Sequence, residues 1–408
     1  MTAPNPSVLT RRCPYSRRHF LRTAGLAAAA APWRARAADD EETEELPRAT
    51  RTAPPPPAFS RTIQANAKVA VVRCRGFGEE VHGGLAKAFD LLGGIGGLVR
   101  GKTVTVKLNL TGTQFAQVFN RPVGDTYMTH PDSALALAKL LFQAGARRVR
   151  FVESNQRMEP LEQTIADGGW DVKAFESLGT VEWENTRNLG RYKQYAHFKV
   201  HSGGHLFSSF ELNKAYDETD VLVSLCKLKN HLTCGVTLAM KNLFGITPNS
   251  LYGDQAPNER ATAGRGPLHQ RRDYRGNGLM PGELKTTLAD SPFLRVPRIV
   301  ADINEARPIH LSIIDGIVSM KGGEGPWAPN IGLITPGLLI VGLNPVSTDS
   351  VGTALMGYKD PRAIQGVVPF TYCDNHLLLA EQRGLGVLDL HAIEVVGTPI
   401  ADAVCPFS

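Results

Sequence analysis

The stretch Asp220-Val-Leu-Val-Ser-Leu-Cys226-Lys-Leu-Lys229-Asn-His231, leading on to Met240-Lys241-Asn242-Leu-Phe-Gly245, decides how this sequence is read. Its aliphatic run over 221–225 is too short for a helix and reads as a strand buried on both faces. A helical pattern follows over 233–244, so Lys229 and His231 fall in the connection between strand and helix. In an open α/β sheet such connections lie at the carboxyl edge of the strands, where ligands bind. Lysines at that edge point to an anion.

The same alternation extends to both sides. Strands are expected at 68–73, 103–110 and 148–153, with helices at 84–92 and 131–143 between them. Beyond 221–225 come helices at 296–305 and 347–356 and strands at 311–314 and 338–343. This pattern predicts an α/β fold with a mostly parallel sheet flanked by helices. Two short runs, 196–201 and 206–212, flank Ser202-Gly203-Gly204 and read as a β-hairpin. The segment 247–292 is rich in Gly, Pro and Arg and has no periodicity, so it is expected to be a long irregular insertion, a mobile cover over the site.

With 42% hydrophobic and 21% charged residues over 408 positions, the chain can bury an ordinary core, which excludes disorder as a whole. The formal charge of +6 rests on seven arginines among the first 37 residues, with no acid among them; without them the remainder is one unit negative. That balance gives no case for a nucleic-acid or anionic-membrane partner. Those arginines include Ser16-Arg17-Arg18-His19-Phe20-Leu21-Arg22, before a weakly apolar run from Ala24 to Ala31 and the triplet Ala35-Arg36-Ala37. The order is that of a twin-arginine signal over 1–37, read by the twin-arginine export machinery. An acidic, proline-rich linker over 38–65 and an α/β domain over 66–408 would follow, in the periplasm or otherwise exported. No run in the mature chain approaches the ~20 apolar residues of a membrane span. Five cysteines remain beyond Cys13, none in a ferredoxin-like spacing, so an iron–sulfur cluster is not expected.

Two motifs carry less than they suggest. Gly96 to Thr103 satisfies the letter pattern of a phosphate loop, but there a helix precedes and a strand follows, the reverse of the order that lets helix amides hold phosphate. It reads as a glycine-rich turn. His197, His201 and His205 lie on the hairpin, and imidazoles on a solvated ribbon fall short of the convergent ligands a zinc site needs.

Several further pieces make the sequence resemble the DUF362 domain family. They are Lys107-Leu-Asn109-Leu, His130-Pro131, Ala144-Gly145-Ala146 before Val149-Arg-Phe-Val-Glu153-Ser, Leu228-Lys229-Asn230-His231 and Met240-Lys241-Asn242-Leu-Phe-Gly245. Ile314-Asp315-Gly316, Gly323-Glu324-Gly325-Pro326 and Asn344-Pro345-Val346-Ser347-Thr348-Asp349 continue the series in order. The resemblance implies a domain rather than an activity, and the iron–sulfur module of some members is missing here. Cys226 stands where relatives often have proline, and a small buried side chain suffices to explain it.

Independently of the resemblance, Lys107, His130, Glu153, Lys229, Asp315 and Asp349 each fall at a strand end or helix start, positions that converge on one edge of a parallel sheet. Each alone has a plain alternative as a helix-dipole or turn residue. Together they predict an enzyme acting on a small anionic molecule. His130, His231, Lys229 and Asp315 would be catalytic, and Lys107, Asn109, Lys241, Asn242 and Asp349 would hold the ligand. Glu153, Asp315 and Glu324 are candidate ligands for a divalent metal, which carboxylates with imidazoles would suit. The rival reading is a periplasmic binding or redox-accessory protein that uses the same pocket without turnover.

The N-terminal reading is directly testable. Arg17→Lys with Arg18→Lys should abolish export, and the exported protein should begin near Ala38; exported protein bearing intact N-terminal peptides would defeat it.

Overall fold

The computed structural model describes residues 67–407 apart from 113, 272, 273, 276 and 277, so the expected signal and linker lie outside the described residues. The first strands are β1 (Lys68–Arg73), β2 (Thr103–Lys107), β3 (Arg148–Glu153) and β4 (Val181–Asn185). A hairpin of β5 (Ala196–Lys199) and β6 (Ser209–Leu212) precedes β7 (Val221–Lys227). Short ribbons follow: β8 (Asn230–His231) with β9 (Gly235–Val236), and, after β10 (Leu311–Gly316), β11 (Ser319–Lys321) with β12 (Gly332–Ile334). The last strands are β13 (Leu338–Gly342) and β14 (Glu394–Gly397).

Eight of these form one sheet in the order β14-β1-β13-β10-β7-β2-β3-β4. Only β13 runs against its neighbours; every other adjacent pair is parallel. The expected α/β class and parallel sheet are therefore what the chain adopts, and the hairpin at 196–212 is present.

Strand periodicity splits the core into two layers. On one face Val72, Val104, Val106, Val223 and Val341 meet helices α1 (Glu79–Leu91) and α2 (Pro131–Gln143). On the other, Val69, Val71, Leu222 and Ile340 meet α3 (Leu238–Asn242), α4 (Pro292–Ala306), α5 (Pro345–Leu355) and α6 (His376–Gln382). All seven residues of β7 are buried, as a central strand covered on both sides requires.

The departures from the sequence reading have local causes. Helix α1 begins at Glu79, five residues before the expected start, and runs through Gly83-Gly84. A Cβ on Gly84 would come within 2.9 Å of Leu339 Cδ1, so glycine here lets the helix lie close on the sheet. The helix expected over 233–244 is instead the β8–β9 ribbon followed by the short α3 and a 3₁₀ turn, Leu243–Ile246. Gly235 takes φ 74° with Phe370 packed where a side chain would sit, and Leu238 takes φ 45°, so the backbone cannot be helical before 238. Helix α4 opens at Pro292, whose missing N–H costs nothing in a first turn.

The segment 247–292 corrects the expectation of a cover without a stake in the core. Tyr252, Leu268, Tyr274 and Met280 are buried within the main apolar cluster. Glu283 and Arg295 form a buried pair at 2.8 Å. Aperiodic spacing hid these anchors, since each short turn contributes one large side chain rather than a face. Tyr252 shows the strength of the attachment: its hydroxyl accepts from Glu211 N at 2.9 Å and donates to Pro281 O at 3.3 Å. Tyr252→Ala should cost about 3–5 kcal/mol in urea unfolding, as truncation of a large buried ring does. A loss below about 0.5 kcal/mol, normal for a surface site, would restore the picture of a loose cover.

Candidate functional site

Four strand ends stand side by side at the carboxyl edge, in the order β10, β7, β2, β3, and carry Asp315, Lys227, Lys107 and Glu153. All four side chains are buried. They neutralise one another in two pairs. Lys227 Nζ lies 3.3 Å from Asp315 Oδ2 and donates to Gly124 O at 3.0 Å. Asp315 also accepts from Ser133 Oγ at 2.9 Å and from Ile317 N at 3.1 Å. Lys107 Nζ lies 2.7 Å from Glu153 Oε1, and that carboxylate accepts from Leu110 N and Ser154 N as well. Burial depresses the pKa of both lysines, and the paired carboxylates work against it.

Asn242 ties α3 to this row. Its Nδ2 donates to Lys107 O and Ser224 Oγ, and its Oδ1 accepts from Asn109 Nδ2 at 3.2 Å. Gly245 then packs on the ion pair: a Cβ there would come within 3.0 Å of Lys107 Nζ. Asp349 lies beneath the same helix, with its two oxygens accepting from Ala239 N and Met240 N at 2.8 Å each. Burial raises its pKa to about 8 against those two amides.

His130 caps α2, its Nδ1 accepting from Asp132 N, while its ring stacks on Phe77 with centroids 3.5 Å apart and its Nε2 faces Asp125 at 3.4 Å. Burial lowers its pKa, as does Lys227, with Asp315 opposing. His130 thus belongs with the Lys227–Asp315 pair rather than with His231.

A second, different environment lies beyond the strand ends. Lys229 is fully buried and donates to Tyr127 O at 2.5 Å and Glu324 O at 3.1 Å, so it clamps two loops through carbonyls. Burial, with Lys241 and Lys227 nearby, pulls its pKa down to about 7. The Glu324 carboxylate accepts from Leu232 N at 2.9 Å and from Trp327 Nε1 at 2.8 Å. It stands 3.9 Å from His231 Nδ1, which instead accepts from Thr233 N at 3.2 Å.

Lys241 differs from the other lysines. Its ammonium sits 4.6 Å from the centroid of Phe244 and has no carboxylate or carbonyl partner among the described residues. Burial lowers its pKa to about 8, with Cys234 and Glu324 opposing and Arg265 and Lys107 assisting. His269 packs edge-on against the same Phe244 ring, centroids 5.2 Å apart. Burial lowers the pKa of His231, His269 and His376, and the charge of Lys241 lowers each of them further. His376 is fully buried, with Nδ1 3.2 Å from Cys234 Sγ and Nε2 without a hydrogen-bond partner.

The structure therefore brings Lys229, His231, Lys241 and Glu324 together. It holds Lys107, Asn109, Glu153 and Asn242 in an adjoining network in which only Asn109 Oδ1 is left without a partner among the described residues, and sets His130 with Asp315 and Asp349 apart. Lys227, Arg265, His269, Cys234, His376 and Trp327 were not singled out as site residues in the sequence. His269, His376 and Trp327 come from aperiodic segments and carry no local signal. Lys227 had one, because a buried strand two residues longer would have put it at the edge. Among the described residues no three imidazole, thiol or carboxylate side chains converge as ligands for a metal ion, and Glu153, Asp315 and Glu324 are each engaged with different partners.

A family described as a domain of unknown function, DUF362, matches residues 104–354, more than half of the sequence. The chain belongs to the DUF362 family. The matched region contains the four strand ends, Lys229, His231, Lys241, His269, Glu324 and Asp349, and stops before His376. Over 179 residues the chain is 30% identical to the Thylakoid-associated protein sll1697 of Synechocystis sp., a stretch covering 41% of this chain and 46% of that relative. The chain thus spans about half the length of the curated relative it matches. Among the described residues no helix is long and apolar enough to cross a membrane.

The buried pairs make a prediction for this DUF362 domain. Glu153→Gln leaves Lys107 charged and unpaired, and should cost about 3–5 kcal/mol. Adding Lys107→Met should recover much of that loss in urea unfolding. Additive losses in the double variant would show that the two groups do not stabilise each other.

Proposed function

We propose that this chain takes a small anion into the pocket around Lys241 and transfers a proton to or from it. The observation that carries the reading is the Lys241 ammonium. Each of the other lysines at this edge is satisfied by a carboxylate or by carbonyls, whereas among the described residues Lys241 meets an aromatic face and no carboxylate or carbonyl. A partly buried cation without a protein counter-charge is a favourable partner for an anion, which would replace water at the ammonium. Lys229 and His231 lie in the same field and supply proton-transfer capacity, Lys229 because its pKa is near neutrality and His231 because burial keeps its imidazole neutral. The paired arginines 17 and 18 support placing this activity outside the cytoplasm, with the twin-arginine machinery as export partner.

Thermal denaturation with inorganic phosphate as the probe tests the reading. Phosphate should raise the melting temperature of the wild type, by the equivalent of about 2.7 kcal/mol at a hundred times the dissociation constant. Lys241→Met should lose that response while remaining at least as stable without anion, because it removes a stranded charge. A variant that is destabilised without phosphate yet still responds to it would defeat the proposal.

The pH dependence follows from the sign of the shift. Lys241 has a folded pKa of about 8 against an ordinary 10.5, so the unfolded chain binds more protons between those values. The Lys241 contribution to anion-free stability should therefore rise with pH across that window. Phosphate affinity should fall over the same range as the ammonium is lost, measured by calorimetric titration; affinity that is flat through pH 8–10 would exclude Lys241 as the anion's partner.

A further inference from the structure

His269 and His231 are each held in one tautomer by their neighbours. His269 Nδ1 lies 2.9 Å from Arg265 O, and a carbonyl can only accept, so Nδ1 carries the proton and Nε2 presents a lone pair. His231 is the reverse: its Nδ1 accepts the backbone N–H of Thr233 at 3.2 Å, so its proton is on Nε2. Neither Nε2 has a hydrogen-bond partner among the described residues, and neither is a sealed orphan atom. Both rings are neutral at physiological pH: burial lowers His269 to about 4 and His231 well below its ordinary value.

The open polar atoms in this region are thus not all of one kind. Lys241 Nζ and His231 Nε2 donate, while His269 Nε2 accepts. Lys241 and His269 meet on one ring, with Lys241 Nζ 4.6 Å and the His269 ring centre 5.2 Å from the centre of Phe244. A fully ionised oxyanion has only lone pairs and would set one of them against the His269 lone pair. An oxyanion that keeps an O–H can give that proton to His269 while accepting from Lys241 and His231.

Resting on the anion reading above, we infer that this pocket selects oxyanions that still carry an acidic O–H, with His269 Nε2 as the proton acceptor that sets the preference. Phosphate, arsenate, sulfate and selenate make matched probes. The first two keep at least one proton at neutral pH; the other two keep none and have similar size and shape. A site built to hydrogen-bond one group discriminates strongly against a ligand that leaves the site's own atom unpaired.

In calorimetric titrations of the full chain at pH 7, phosphate and arsenate should bind at least about tenfold more tightly than sulfate and selenate. In His269→Leu the gap should close, chiefly by loss of phosphate affinity. Nitrogen-15 NMR of the unaltered protein gives a second readout independent of that variant's folding: His269 should show its proton on Nδ1 and His231 on Nε2. Equal binding of the four anions by the wild type, a gap that persists in a folded His269→Leu, or a His269 proton on Nε2 would each overturn the inference and leave the anion reading standing. Silence from all four anions would overturn both.

Discussion

Two lysines that cannot reach water end adjacent strands, and the rest of the carboxyl edge is arranged around keeping them neutralised. Lys107 closes β2 and Lys227 closes β7, both with essentially no exposed surface. Each is answered by an acid on its outer neighbour, Glu153 on β3 and Asp315 on β10. Strand order makes this arrangement work, because β10, β7, β2 and β3 are consecutive and parallel: Asp315 lies opposite Lys227, while Lys107 lies opposite Ser224, three residues lower, and beside the end of β3 that carries Glu153. Their remaining lone pairs are taken by Ser133, Ile317, Leu110 and Ser154, which is the condition under which buried charges are tolerated. A network so fully satisfied has nothing left to offer a ligand. It acts as a floor.

Above that floor, α3 is too short to hold itself. A helix of five residues has no stability of its own, and here other elements hold both its amides and its side chains. Asp349 of α5 accepts from two of its amides, and Asn242 reaches down to β2 and β7. Asn304 of α4 donates to Met240 O from a third direction. Lys241 sits between Met240 and Asn242, both fixed, so its backbone position is set by four elements while its ammonium has no polar partner among the described residues. Fixed placement of an uncompensated charge is how a binding protein avoids reorganising when its ligand arrives.

Much of this was legible in the sequence, and the limits are physical. Alternation of short aliphatic runs with helical patterns revealed the sheet, because parallel strands buried on both faces need such runs. The strand ends expected at one edge of the sheet are found there, and Lys229, His231 and Glu324 lie just beyond them, with Glu324 O accepting from Lys229 and its carboxylate 3.9 Å from His231. What sequence reasoning lacked was depth along the chain. Ending the strand at 225 rather than Lys227 left Asp315 without its lysine, since pairing in register joins Asp315 to Lys227. Lys107, Glu153 and Asp349 looked like ligand groups because their chemistry is that of ligand groups; only coordinates show that other protein atoms already occupy them. His269 ends a four-residue helix and His376 opens the short α6, elements too brief for their period to stand out in the sequence.

The surroundings of Lys241 are electrostatically lopsided, and that lopsidedness bears on the proposed use. Lys241 lies in the field of Lys229, Arg265 and Lys107, yet Glu153 belongs to Lys107, and Glu324 is shared among Leu232, Trp327 and the loop that Lys229 clamps. Selection for stability alone would replace Lys241 with an apolar residue of similar length, since a stranded cation weakens the folded state. Its neighbours sharpen the point. Neutral histidines do not relieve the charge, and the Phe244 face relieves it by about 1 kcal/mol at most sites of this kind. On the anion reading proposed above, part of the binding energy of an anion at this partly buried ammonium would reappear as stability of the whole domain.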